Sequence, residues 1–234
     1  MTTREQVVQN LAMLKGVKEG SVDHRRIINT FNNSKLCTRY EMTMKDAWCA
    51  TAVSYAFIVS KLAGAQGSGA LFQCVECSCP KMIELAKKQG IWKESDSYVP
   101  KKGDVIMYDW QDSGAGDNKG TPDHTGIVME VNGNNIKVIE GNKNDAVGVR
   151  ELKVDGKYIR GYIAPHYDVL YYKKYTGKSN SIVDALKAVG VTNPSLLFRR
   201  RIAKANNIKA YMGTANQNLK MLELLKEGKL KKPN

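Results

Sequence analysis

Apolar residues recur at helical spacing near the start of the chain. Val7, Val8, Leu11 and Leu14 share one stripe, Gly16 and Gly20 interrupt it, and Ile27 and Ile28 mark a second helical stretch within residues 3–30. From Asp46 to Leu62 the pattern changes to a run that is apolar on nearly every face, AWCATAVSYAFIVSKLAG, with Asp46 as the expected N-cap and Gly64 closing it. A helix of that kind belongs inside a core. A further helix is expected over Pro80 to Gln89, with Pro80 at its first position and Gly90 just past its end. Strand patterns follow: DVIMYD (104–109), TGIVMEV (125–131), NIKVIEG (135–141), VGVREL (147–152) and YIRGYIAP (158–165), with Asn132-Gly133 as a hairpin signal between the second and third. Helices first and strands afterwards predict an α+β domain with an antiparallel sheet of about five strands.

The pattern shifts again after residue 165. Residues 166–180, HYDVLYYKKYTGKSN, read as a linker rich in Tyr and Lys. Residues 181–234 read as three short helices, opened by Ser181 with Asp184, by Asn193-Pro194 as N-cap and first helical residue, and by Thr214 with Gln217. Three units are therefore expected: a domain over 1–165, a linker over 166–180 and a helical module over 181–234.

Composition is that of a soluble globular protein, 42% hydrophobic and 25% charged over 234 residues, but the charge balance is +13. Residues 177–234 hold 12 Lys+Arg against 3 Asp+Glu and so carry +9 of it. So basic a surface is drawn to polyanions: nucleic acid, an anionic membrane, or the acidic polymers of a bacterial wall. No recognised nucleic-acid motif accompanies the charge. No apolar run reaches the ~18–20 residues that span a bilayer, so membrane insertion is not expected. The first residues, MTTREQVVQNLAMLKG, lack a secretory apolar core, which predicts synthesis and retention in the cytoplasm until release. The five cysteines, Cys37, Cys49, Cys74, Cys77 and Cys79, are an odd number with three inside six residues, and are expected as reduced thiols.

One of them has the position of a nucleophile. Cys49 falls in the first turn of its predicted helix, where unpaired N–H groups and the positive dipole end favour the thiolate. Of the three histidines, His24 lies in a basic stretch and reads as a surface residue, and His166 reads as a linker residue. His124 opens a strand directly after the Gly- and Asp-rich loop WQDSGAGDNKGTPD, which suits a base at a cleft. The hairpin returns the chain to Glu140-Gly141-Asn142 beside His124. Glu140 or Asn142 is then the acceptor for the imidazole Nδ1–H, with Glu140 favoured because a carboxylate stabilises a cation better than an amide. Trp48 and Tyr40 are candidate cleft-lining residues for substrate.

Taken in order, DAWCATAVSYAF, PKKGDVIMYDW and DHTGIVMEVNGNNIKVIEGN resemble a CHAP domain (cysteine, histidine-dependent amidohydrolase/peptidase), as found in phage lysins and bacterial wall hydrolases. The resemblance covers residues 1–165. It implies a papain-like fold, an active site at Cys49, His124, Glu140 and Asn142, and cleavage of an amide bond in peptidoglycan. The tail resembles small repeats at the ends of Gram-positive phage lysins, which implies wall binding, and the lack of a secretory core fits an endolysin that waits in the cytoplasm. The different-class alternative is a noncatalytic wall-binding or phage structural protein.

No cofactor and no metal are expected. Some CHAP domains bind calcium through an Asp-rich loop, whereas Asp23 and Asp46 are isolated here, and Asp109, Asp112, Asp117 and Asp123 lack ligand spacing. The run CVECSC offers thiolates for zinc but has no second CxxC or histidine pair nearby, so buried reduced thiols are expected there.

Overall fold

The computed structural model describes residues 3–68, 70–95, 97–112, 120–154, 156–167 and 171–233. The tip of the loop ahead of His124, residues 113–119 with Asp117, lies outside them. The chain divides into two compact units, Met1–Tyr167 and Asp168–Asn234.

In the first unit, α1 (Thr3–Ala12) and α2 (Val22–Ser34) bury Val7, Val8, Leu11, Ile27, Ile28 and Phe31. Ser21 caps α2, its hydroxyl accepting from the His24 N–H at 3.2 Å. Helix α3 (Cys49–Val59) is buried at every residue from Cys49 to Phe57, as its unbroken apolar run requires. It packs against α1 and α2 on one side and against the sheet on the other. Its N-cap is Trp48, not Asp46. The Asp46 carboxylate instead accepts from the Thr43 N–H at 2.7 Å, the Thr43 hydroxyl at 2.8 Å and the Tyr40 hydroxyl at 3.1 Å, closing the loop that leads into the helix. Helix α4 (Cys79–Gln89) begins one residue ahead of Pro80.

The sheet is antiparallel and mixed helix-and-sheet architecture of the α+β, papain-like class results. Among the described residues it has six strands: β1 (Trp92–Lys93), β2 (Val105–Tyr108), β3 (His124–Asn132), β4 (Asn135–Glu140), β5 (Gly148–Lys153) and β6 (Ile159–Ile163), in the order β1-β6-β2-β3-β4-β5. The extra strand over the five expected is the two-residue β1, too short to leave a periodic signal. The β3–β4 turn is Gly133-Asn134, one residue later than Asn132-Gly133, because Asn132 still pairs with Asn135. Val105, Met107, Ile127 and Ile139 face the core shared with α3, while Ile106, Tyr108, Val128, Ile136 and Val138 form a smaller cluster on the other face.

In the second unit, α5 (Ile182–Ala188), α6 (Leu196–Ala205) and α7 (Ala215–Lys226) enclose Ile182, Leu186, Ile202, Met221, Leu222 and Leu225. Ser181 caps α5, and Thr214 with Gln217 forms a reciprocal capping box on α7. Helix α6 is capped by Ser195, whose hydroxyl accepts from Phe198 N–H at 3.2 Å, so Asn193-Pro194 lies outside the helix rather than starting it. Within the stretch 166–180, Tyr172 and Tyr175 are buried in this unit's core, and the Tyr172 N–H donates to the Leu230 carbonyl at 2.9 Å. Residues 168–170 of that stretch lie outside the described residues. Among the described residues no helix is long and apolar enough to cross a membrane.

Candidate active site

Cys49 is the first residue of α3 and His124 the first residue of β3, and where those two starts meet each group shifts the other's pKa. Both are nearly enclosed, 6% and 9% exposed. The ring faces Glu140: His124 Nε2 lies 3.1 Å from Glu140 Oε2. The expected ring edge is thus exchanged, since Nε2 and not Nδ1 meets the carboxylate.

Two glycines make this approach possible. A Cβ on Gly126 would stand 2.7 Å from Glu140 Cγ, so the bare backbone there leaves room for the Glu140 side chain to lean toward His124. A Cβ on Gly141 would stand 2.3 Å from Ala52 Cβ and 3.1 Å from the Trp48 ring, so the end of β4 closes directly on the first turn of α3.

Glu140 is fully buried, and every lone-pair direction of its carboxylate is engaged. Oε1 accepts from the Tyr108 hydroxyl at 2.8 Å and Arg150 Nε at 2.7 Å; Oε2 faces His124 Nε2 and accepts from the second arm of the Arg150 guanidinium at 3.0 Å. Burial alone raises its pKa, but these donors, the His124 and Arg150 cations first among them, hold it below the ordinary glutamate value. The partners share one sheet face: Tyr108 pairs with His124 across β2 and β3, and Arg150 pairs with Val138, two residues before Glu140. The Arg150 guanidinium also lies over the Trp110 ring at 4.8 Å, and Trp110 stacks on Tyr108 at 4.8 Å. Periodicity cannot single out Tyr108 and Arg150, because a strand tyrosine and arginine are ordinary residues until register sets them against a buried carboxylate.

A fourth group went unnoticed in the sequence. Cys79, the first residue of α4, places its sulfur 3.9 Å from that of Cys49. The two thiols share a proton unequally. The Cys49 pKa lies well below the ordinary thiol value: the hydrogen bond from Cys79 favours the thiolate, burial opposes it, and His124 and the Ala50 N–H add to the lowering. Cys79 is driven the opposite way by Cys49 and by burial, with the Asp123 charge adding to the rise. The two directions are opposite, so the pair favours the proton on Cys79. Burial lowers the His124 pKa, but the hydrogen bonds and charges of Cys49 and Glu140 outweigh it and bring the imidazole to about 9. Each group therefore favours the charged form of the other, the Cys49 pKa driven down and the His124 pKa up.

The remaining expected residues sort differently. Asn142 leaves β4 with φ 56 and, with Trp110, His124, Lys143, Asn144 and Arg150, lines an open pocket of about 270 Å³ beside the imidazole. Trp48 is no cleft residue: it is fully buried, its indole N–H donates to Glu19 at 3.0 Å and its ring packs on His24 at 4.5 Å. His24 is accordingly a core residue rather than a surface one, and its Nδ1 accepts from the Gly20 N–H at 3.0 Å. Burial lowers its pKa, more than the Glu19 charge raises it. Tyr40 is exposed, but it is not among the residues lining the pocket beside His124. His166 is exposed.

No curated protein and no solved structure matches the chain. Among known families, residues 39–142, the stretch that runs from the loop ahead of α3 through Cys49, His124 and Glu140 to Asn142, match the CHAP domain, which supports cysteine- and histidine-dependent amidohydrolase or peptidase chemistry on peptidoglycan.

Proposed function

We propose that the first unit is a thiol hydrolase cleaving an amide bond of peptidoglycan, either an N-acetylmuramoyl-L-alanine amidase or an endopeptidase of the peptide stem or cross-bridge. The observation that carries this reading is the Cys49–His124–Glu140 array, a thiol and an imidazole that each favour the other's charged form, with the far edge of the ring on a buried, fully hydrogen-bonded carboxylate. Cys49 attacks the amide carbonyl as the thiolate. The proton already on His124 passes to the leaving amine, and the acyl group stays on sulfur as a thioester. His124, now neutral, takes a proton from water as that water attacks the thioester, and the acid product and free thiolate are released. The backbone N–H of Cys49, at the start of α3 and without an intrahelical acceptor, is the oxyanion donor this reading assigns.

Glu140 acts through His124, holding the ring and stabilising its charged form. Asn142, Lys143 and Arg150 make the neighbouring pocket polar and basic, which suits the carboxylates of peptide stems. The +9 carried by residues 177–234 supports a wall-binding role for the second unit, which would raise the local concentration of the first at its polymer. This pairing of units is that of a phage endolysin, made in the cytoplasm and acting on the wall after release.

Zymography on purified cell walls tests the reading. Clearing by the wild type that disappears in Cys49→Ala is the expected result; no clearing by either protein would favour a noncatalytic wall-binding role. Mass spectrometry of the released muropeptides separates amidase from endopeptidase products.

A further inference from the structure

The three cysteines of CVECSC go three ways. Cys74 is buried with its sulfur 3.5 Å from Gln89 Oε1, Cys79 joins Cys49, and Cys77 meets Cys37 from the segment between α2 and α3. Between Cys37 and Cys77 stands the Glu76 carboxylate, 5% exposed, and the two sulfurs and the carboxylate oxygen all lie within 4.8 Å of one another. We propose that Cys37, Glu76 and Cys77 form a structural site for a thiophilic divalent cation of the zinc class.

Hydrogen bonding alone accounts poorly for this cluster. Glu76 Oε1 is approached by four donors: the Cys37 thiol at 3.3 Å, the Cys77 thiol at 3.3 Å, the Arg39 guanidinium at 2.8 Å and the Cys77 N–H at 2.8 Å. One carboxylate oxygen has two lone pairs, so four donors oversubscribe it, and the thiols approach at the longer distances. The two thiols, weak donors, are surplus. As metal ligands they are well placed. With Zn–S bonds of about 2.3 Å and Zn–O bonds of about 2.0 Å, a tetrahedral ion holds sulfur and oxygen about 3.5 Å apart and two sulfurs about 3.8 Å apart. The observed 3.3 Å sulfur–oxygen separations are close to that geometry.

Charge and rigidity agree. A divalent cation entering displaces one proton from each thiol, which leave to solvent. The two thiolates and Glu76 then outweigh the ion by one negative charge, and Arg39, within 3.6 Å of the Cys77 sulfur and bonded to both Glu76 oxygens, balances it from outside the ligand set. Glu76 is already fixed: its carbonyl accepts from the Ser54 hydroxyl of α3 at 2.8 Å, and its N–H donates back to that oxygen at 3.0 Å. Cys37 and Cys77 are half-buried, leaving a fourth position to water. Bound metal would tie the loop ahead of α3 to the loop ahead of α4. Such an ion stabilises the fold, and it takes no part in bond cleavage.

The test uses the full chain carrying Cys49→Ala, so that metal cannot be held by the catalytic thiol, reduced with a phosphine and stripped of metal. Titration with Cd²⁺ is expected to raise a thiolate-to-metal charge-transfer band in the near ultraviolet that saturates at one equivalent. The band is expected to vanish with Cys37→Ser or Cys77→Ser and to survive Cys79→Ser. No band, or one that survives Cys37→Ser and Cys77→Ser but is lost with Cys79→Ser, overturns the proposal. A readout that needs no further variant is alkylation by iodoacetamide mapped by mass spectrometry. Stoichiometric Zn²⁺ is expected to protect Cys37 and Cys77; unchanged alkylation at both overturns the proposal.

Discussion

The sulfurs of Cys49 and Cys79 lie 3.9 Å apart, each on the first residue of its own helix. Two helix N-termini thus converge on one pair of thiols, and the asymmetry between them follows from their other neighbours: His124 and the Ala50 N–H beside Cys49, the Asp123 charge near Cys79.

Replacing Cys79 by Ala removes the strongest influence that favours the Cys49 thiolate. The pH at which Cys49 becomes half-alkylatable is expected to rise in Cys79→Ala and to rise less in Cys79→Ser, which keeps a donor. Alkylation rate against pH, read at Cys49 by mass spectrometry, measures this. Identical titration curves for wild type and Cys79→Ala would refute the shared proton.

The catalytic form on this reading pairs thiolate with imidazolium. It needs pH above the depressed Cys49 pKa and below that of His124, about 9. Because the His124 pKa is raised, the proton for the leaving amine is present through neutral pH and is lost as pH rises through about 9, so kcat/KM is expected to fall on that alkaline limb. An alkaline limb near the unperturbed histidine value of 6.5 would show that Glu140 and Cys49 do not hold the proton on the ring.

Glu140→Gln keeps the shape of the side chain and removes the charge that faces both His124 and Arg150. Loss of the partner that steadies a catalytic imidazole costs about 10²–10⁴-fold in rate in comparable triads, and that range is expected here. Folding stability is expected to drop by ~2 kcal/mol, below the ~3–5 kcal/mol of a fully buried broken pair. The reason is that the Arg150 side chain is 31% exposed and can turn to water. Steady-state kinetics and urea unfolding report the two effects separately; unchanged kinetics with lost stability would reduce Glu140 to a structural role.

Gly141 tests how closely β4 must approach α3. Gly141→Ala sets a methyl 2.3 Å from Ala52 Cβ and is expected to destabilise by ~1–3 kcal/mol and to depress activity by separating His124 from Cys49. Ala52→Gly relieves the clash, at about 1 kcal/mol for glycine within a helix. The double variant is expected to be more active than Gly141→Ala alone; strictly additive losses would show that the close approach does not position the pair.

Residues 168–234 have a core of their own and most of the positive charge. Expressed alone, they are expected to pellet with purified walls at low salt and to be released as salt shortens the screening length to ~10 Å at 0.1 M. Failure to pellet at low salt would remove the wall-binding reading of this unit.

Local pattern was enough for most of the elements and for bringing Cys49, His124 and Glu140 into question together. The unbroken apolar run of α3 could only be a buried helix, strand patterns marked five strands, and the turn signal that starts at the last residue of β3 brought Glu140 back toward His124. Considering a helix-start cysteine with a strand-start histidine needed only those elements and their order. What pattern cannot carry is which side chains meet once strands register and helices pack, because those contacts join residues far apart in the chain. Tyr108 and Arg150 on Glu140, Cys79 beside Cys49, and Cys37 beside Cys77 each span 30 residues or more, or cross a strand pair whose register only the folded sheet sets. Trp48 and His24 are core residues for the same reason: in space they pack on each other, and Trp48 on Gly141, contacts between residues far apart in the chain. Burial, which decided both, is a property of the whole packed unit and not of any window along the chain.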